Sequence, residues 1–123
     1  MARILVVDES PALRRLLRFM LKGHELSEAR FGLEALGAVD DAPLDLIVCD
    51  AGLTDMTPDE FYRRLQEGGY TGQVLFLGPQ LEAGPRDSFG RRLPLLYKPV
   101  DAEVLLQRVE ELLAQPSPQW DVK

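Results

Sequence analysis

The chain has 123 residues, room for one domain with a packed core and too little for two. An apolar fraction of 46% marks a globular protein, and a net charge of -6 excludes the basic footprint that a nucleic-acid surface needs. One cysteine and one histidine, Cys49 and His24, exclude an intrachain disulfide and any centre built from clustered cysteines or histidines.

The N-terminal apolar run is too short for a signal peptide, and no stretch reaches the length of a membrane span, so a soluble, cytoplasmic protein is expected. Ile4 to Val7 form an unbroken apolar run that stops at Asp8 and Glu9. Such a run suits a strand buried on both faces of a parallel sheet. Ser10-Pro11 follows as an N-cap with proline at the first helical position. The helix this predicts runs to about Lys22, with Leu13, Leu16, Leu17 and Met20 on its inner face, and Gly23 ends it. Arg14, Arg15, Arg18 and Lys22 fall on the other side. They form either a solvated face or a docking surface. Charge at this helix end accounts for His24.

Glu25 to Ala29 read as a short edge strand, and Leu33, Leu36 and Val39 mark a second, shorter helix weakened by Gly32 and Gly37. Asp40 to Pro43 form a loop. Within Leu44 to Asp50, Leu46 to Cys49 then give the second unbroken run, ending at a carboxylate. Cys49 points to the face opposite Asp50 and reads as a small buried hydrophobe. On this strand alone, Asp50 either opens a turn or sits where an open α/β sheet places its ligand crevice.

Thr57-Pro58-Asp59-Glu60 combines capping-box spacing, a first-turn proline and acidic residues against the helix dipole. Phe61, Tyr62 and Leu65 anchor that third helix, which ends near Gly68-Gly69. Val74 to Leu77 form a fourth strand. The stretch from Gly78 to Leu93 is rich in glycine and proline. It allows only a short helix, around Arg86 to Arg91, held by Leu81, Phe89 and Leu93. Leu95 to Tyr97 make a brief fifth strand. After Lys98-Pro99, Asp101 caps a last helix with its stripe at Ala102, Leu105, Leu106, Val109, Leu112 and Leu113, and Pro116-Ser117-Pro118 stops it. The domain is expected to span residues 1–115, with 116–123 as a short tail whose Trp120 either packs back or floats. The β-α order, repeated five times, predicts a doubly wound five-stranded parallel sheet with helices on both faces.

Three strand ends carry charge: Asp8 with Glu9, Asp50, and Lys98. Carboxylate oxygens suit Mg²⁺, a lysine suits a phosphoryl oxygen, and a carboxylate beside the metal can itself accept a phosphoryl group. With these pieces in place, the chain resembles the receiver domain of two-component response regulators, from Arg3 to about Ala114. The matching segments are Ile4-Leu5-Val6-Val7-Asp8-Glu9-Ser10, Gly32-Leu33-Glu34-Ala35-Leu36, Asp45-Leu46-Ile47-Val48-Cys49-Asp50 and Lys98-Pro99-Val100-Asp101.

The resemblance implies a flavodoxin-like, receiver-type sheet of strand order 2-1-3-4-5. It implies that Asp50 is the phosphoacceptor and that Asp8, Glu9, Asp50 and the backbone carbonyl of Gly52 hold Mg²⁺. It also implies that Lys98 pairs with the phosphoryl group and that the Lys98–Pro99 bond is cis. Departures from the family pattern are equally specific. Gly78 stands where a Ser or Thr is usual, and Leu95 where a mobile aromatic is usual. Tyr97 lies two residues on, on the same face, which leaves partial substitution open. Thr54 replaces a proline and Pro58 a glycine.

The resemblance thus implies a stand-alone, Mg²⁺-dependent phosphoacceptor served by a sensor histidine kinase or a histidine phosphotransfer protein. The donor would dock on the helix of Arg14, Arg15 and Arg18 and on the loop after Lys98, and an unknown downstream protein would read the result. Turnover is expected to be limited to self-phosphorylation and slow dephosphorylation, and association to a monomer or weak dimer. The altered switch positions favour an alternative, a pseudo-receiver that binds proteins regardless of phosphate. A small metal-dependent phosphatase with an aspartyl intermediate would need a cap domain and a second acid after Asp50 to protonate a leaving group, and neither is expected here.

Overall fold

The computed structural model describes residues 1–80 and 84–115. In chain order the elements are β1 (Arg3–Val7), α1 (Pro11–Met20), β2 (Glu25–Ala29), α2 (Gly32–Asp41), β3 (Leu46–Asp50), α3 (Pro58–Glu67), β4 (Gln73–Gly78), β5 (Leu95–Tyr97) and α4 (Ala102–Leu113). The strands form one sheet in the order β2-β1-β3-β4-β5, and every pairing is parallel. The expected fold class and strand order are both found.

Alternation along the strands divides the interior between the two faces. Leu5, Val7, Ile47, Cys49, Val74 and Phe76 pack with Phe61, Tyr62 and Leu65 of α3 and Ala35 of α2. Ile4, Val6, Leu46, Val48, Leu75 and Leu77 pack with Leu17 of α1 and Leu105, Val109 and Leu112 of α4. This two-sided burial is the reason that β1, β3 and β4 carry unbroken apolar runs. The helix starts follow the capping residues: Ser10 accepts from Leu13 N–H, Thr57 from Glu60 N–H, and Asp101 from the N–H groups of Glu103 and Val104.

Several expectations need correction. Residues 86–91 form no helix; among the described residues there are four helices, so the β-α repeat lacks its fourth. The Asp87 carboxylate accepts from the N–H groups of Phe89 and Arg91. The backbone closes between Arg86 and Arg92 as an isolated antiparallel bridge, turning through Gly90 at φ 80°. A local carboxylate acceptor and a left-handed glycine compete successfully with helical hydrogen bonding here. Leu16 is 45% exposed, because α1 and its C-cap turn Leu17 and Leu21 into the core, with Leu13 partly buried beside them. On α4, Ala102 and Leu106 also face outward, Leu33 of α2 is 65% exposed, and Phe89 stands in solvent instead of holding the 86–91 stretch.

His24 is held by more than a helix end. Its Nδ1 accepts from Ala2 N–H, and its Nε2 lies 3.5 Å from Glu110. The expectations for Leu81, Pro116 to Pro118 and Trp120 lie outside the described residues. No helix among the described residues is long and apolar enough to cross a membrane.

Candidate functional site

Asp8, Asp50 and Lys98 each follow or end a strand at the same edge of the sheet, and parallel pairing brings them together. β1 pairs with β3, so Asp8 stands beside Asp50. β5 is two strands from β3, and the long side chain of Lys98 crosses the intervening β4. Its Nζ donates to Asp50 Oδ1 at 3.0 Å and to Asp8 Oδ2 at 3.3 Å. The backbone beneath is clamped: Lys98 N–H donates to Gly78 O, and Ala51 N–H to Leu77 O. The Lys98–Pro99 bond is cis, as expected.

Asp8 is 3% exposed. Its Oδ1 accepts from Ser10 N–H, and its backbone carbonyl accepts from Arg14 Nη1 at 2.6 Å. The Asp50 side chain is 16% exposed. Its Oδ1 takes two donors, Lys98 Nζ and the N–H of Gly52, whereas Oδ2 accepts no hydrogen bond among the described residues. One oxygen is thus fixed and the other is open. Burial alone would lower the Lys98 ammonium, but the hydrogen bond and charge of Asp50, followed by those of Asp8, outweigh it and raise the pKa above 10.5. Burial pushes the Cys49 thiol well up, reinforced by Asp50, Asp8 and Asp55, which leaves it a neutral core residue.

Glu9 is not brought into this cluster. Its Oε2 accepts from both the backbone N–H and the hydroxyl of Thr54, each at 2.7 Å. Among the described residues no three His, Cys, Asp or Glu side chains converge as a metal cluster. What does converge, Asp8 with Asp50, is an all-oxygen donor pair with hard carboxylates. That chemistry fits a Mg²⁺ ion, which keeps most of its waters and takes one or two carboxylates. Gly52 touches Asp50 through its N–H; its carbonyl makes no such contact.

Gly78 ends β4 in a tight place. A Cβ built there would stand 2.8 Å from the Cβ of Ala51 and 3.8 Å from Leu95 Cδ1. Leu95 is half-buried and Tyr97 exposed. Of the three arginines on α1, Arg14 and Arg18 both pair with Glu28 of β2, and Arg15 is exposed. Sequence reasoning missed three roles: the Thr54–Glu9 contact, the Arg14–Glu28 tie, and Asp55, which accepts from the N–H groups of Gly32 and Leu33 at the start of α2. An Asp capping a helix 22 residues earlier leaves no local sequence signal.

Comparisons with known proteins agree with this geometry. A family model described as the response regulator receiver domain matches residues 4–110. The sensor protein EvgS of Escherichia coli (strain K12) is 31% identical over 124 residues, covering 95% of this chain and 10% of EvgS. The transcriptional regulatory protein TrcR of Mycobacterium tuberculosis is 31% identical over 125 residues, covering 94% of this chain and 46% of TrcR. This chain therefore spans less than half the length of either relative. Protein PilH of Pseudomonas aeruginosa is 28% identical, covering 93% of this chain and 99% of PilH. Among solved structures, the chemotaxis protein CheY4 of Vibrio cholerae superposes with a TM-score of 0.79 at 27% identity, covering 91% of this chain and 98% of that one.

Proposed function

The chain belongs to the response regulator receiver domain family, and from that premise we propose that it accepts a phosphoryl group on Asp50 from a phosphohistidine of a sensor kinase or phosphotransfer protein. The single observation that carries this reading is the Asp50 carboxylate: Oδ1 is held by Lys98 and Gly52, while Oδ2 is open. A fixed carboxylate with one free oxygen is oriented for in-line attack on phosphorus. As the Asp50 O–P bond forms, the donor's N–P bond breaks. The imidazole nitrogen leaves with that electron pair and is neutralised by a proton.

Lys98 releases Asp50 as its charge is spread and pairs instead with a phosphoryl oxygen, its raised pKa keeping it cationic. Mg²⁺ held by Asp8 and Asp50, with Glu9 and the Gly52 carbonyl as further ligands, would supply positive charge against the phosphoryl oxygens. Water later attacks the acyl phosphate, freeing phosphate and restoring the Asp50 carboxylate, so turnover is limited to this slow reset of the signal. Arg15, with the loop after Lys98, belongs to the docking surface for the donor. Arg18, 65% exposed beside Glu28, lies on the same surface, whereas Arg14 is taken up by Glu28 and the Asp8 carbonyl.

A second reading, a pseudo-receiver that binds partners without regard to phosphate, is favoured by Gly78 and Leu95. Neither supplies a hydroxyl or an aromatic ring whose contacts differ between states, and a conformational shift requires such differences. Among the described residues no helix stands between β4 and β5, which removes a further element that could move. Incubation with acetyl phosphate and Mg²⁺, followed by intact-mass measurement, separates the two readings. Phosphoacceptance predicts a one-phosphoryl gain that requires Mg²⁺ and is lost in Asp50→Asn. No gain leaves the pseudo-receiver.

A further inference from the structure

We propose that Thr54 is a positioning residue that holds Glu9 Oε2 away from the Asp8–Asp50 pair, so that engagement of Glu9 by a bound Mg²⁺ ion competes with its contact to Thr54. This rests on the reading above that the pair binds Mg²⁺, and it assigns a control of that binding to one residue.

Both Thr54 donors converge on one atom. The backbone N–H and the hydroxyl each reach Glu9 Oε2 at 2.7 Å. Two donors on one carboxylate oxygen form a charge-assisted pair, stronger than neutral hydrogen bonds. The donors themselves are anchored. Next in the chain, Asp55 takes the N–H groups of Gly32 and Leu33 at 3.0 and 2.9 Å, tying the loop to the start of α2. Met56 is buried against Gly32, where an added Cβ would come within 2.8 Å of the Met56 side chain. The loop from Thr54 to Met56 is thus fastened by a carboxylate and by a core side chain. The Glu9 side chain has three rotatable torsions and is the part that moves.

Glu9 follows directly on Asp8, whose own carboxylate is fixed by Ser10 and Lys98. Rotation of Glu9 off Thr54 is therefore what completes a third acidic ligand. Cation binding and the Thr54 contact compete for one carboxylate. Removing the donors makes Mg²⁺ binding tighter, and removing Glu9 makes Thr54 irrelevant to it.

The test is a Mg²⁺ titration of the full chain followed by backbone amide NMR, with no phosphodonor present. Thr54→Val keeps the N–H and deletes the hydroxyl; Thr54→Pro deletes both; Thr54→Ser keeps both. The expected gains in Mg²⁺ affinity are roughly threefold for Thr54→Val and about tenfold for Thr54→Pro, with Thr54→Ser close to wild type, the sizes expected for partly solvated bonds to a charged group. In the wild-type chain the Thr54 amide should shift with the same midpoint as Mg²⁺ uptake. In a Glu9→Gln background, the effect of Thr54→Val on affinity should vanish. Should Thr54→Pro fail to fold, the Val and Ser variants with the Glu9→Gln cycle still decide. Wild-type Mg²⁺ binding with unchanged affinity in Thr54→Val overturns the Thr54 assignment alone. A Thr54→Val effect that persists without Glu9 does so as well. Absence of Mg²⁺ binding in every variant overturns it together with the metal reading.

Discussion

Restoring a side chain at Gly78 should destabilise the domain, and Ala51 should be the cause. An added Cβ at position 78 would stand 2.8 Å from Ala51 Cβ, closer than real Cβ atoms approach. Ordinary contact begins near 3.4 Å, so about 0.6 Å must be found. Neither backbone gives way easily, because Ala51 N–H is bonded to Leu77 O at 2.7 Å and Gly78 O accepts from Lys98 N–H at 2.8 Å. Overpacking of this kind costs about 1–3 kcal/mol. Gly78→Ala should lose that much in urea unfolding at unchanged m-value. Ala51→Gly alone should lose about 0.5–1 kcal/mol through backbone entropy. The double variant should be more stable than the sum of the two losses implies, with a coupling of about 1 kcal/mol or more. A Gly78→Ala loss below about 0.5 kcal/mol, or strict additivity, would refute the steric reasoning. The functional corollary is that Gly78→Ser cannot supply a usable hydroxyl unless Ala51→Gly accompanies it.

Arg14→Ala removes a bond to the Asp8 carbonyl and half of the charge against Glu28, and it should cost about 1–3 kcal/mol by denaturant unfolding. Arg15→Ala, at an exposed position, should be near neutral. Asp55→Ala uncaps α2 and should cost about 1 kcal/mol, with faster hydrogen exchange at the Gly32 and Leu33 amides. Burial, followed by the charges of Asp45 and Tyr62, pushes the Tyr70 phenol far above its usual 10.0. A raised pKa means that the folded state holds the proton more tightly, so this stabilisation is intact below pH 10 and is lost as pH rises beyond it. Stability should fall by up to about 1.4 kcal/mol per pH unit there. Tyr70→Phe lacks the bond to Gln73 O, so it should be less stable at pH 7 yet flatter above pH 10.

The buried strands were readable because two-sided burial leaves no alternation to misread: Ile4–Val7 and Leu46–Cys49 could be little else. Asp8, Asp50 and Lys98 were readable for the same reason, since parallel strands end on one edge and a charge at each end must converge there. What the sequence could not disclose was how side chains choose among partners. Glu9 follows Asp8 in the chain, yet its carboxylate goes to Thr54. Arg14 sits among basic residues suited to solvent, yet only 13% of its side chain is exposed and it closes on Glu28. The 86–92 stretch was misjudged because its spacing of Phe89 and Leu93 is helical, while Asp87 and Gly90 set a local turn that periodicity does not report. On α1, Leu13, Leu16, Leu17 and Met20 span a wider arc than the sheet covers, and only packing decides that Leu16 is left outside.

The central claim is that Asp50 is the atom-level acceptor. The most direct measurement is borohydride trapping of the acyl phosphate after brief exposure to acetyl phosphate and Mg²⁺, followed by peptide mass mapping. Reduction converts an aspartyl phosphate to homoserine. Homoserine at position 50 alone, absent without Mg²⁺ or donor, is the predicted result. Reduction at Asp8, Asp55 or elsewhere with Asp50 untouched, or no reduction at all, would contradict the account.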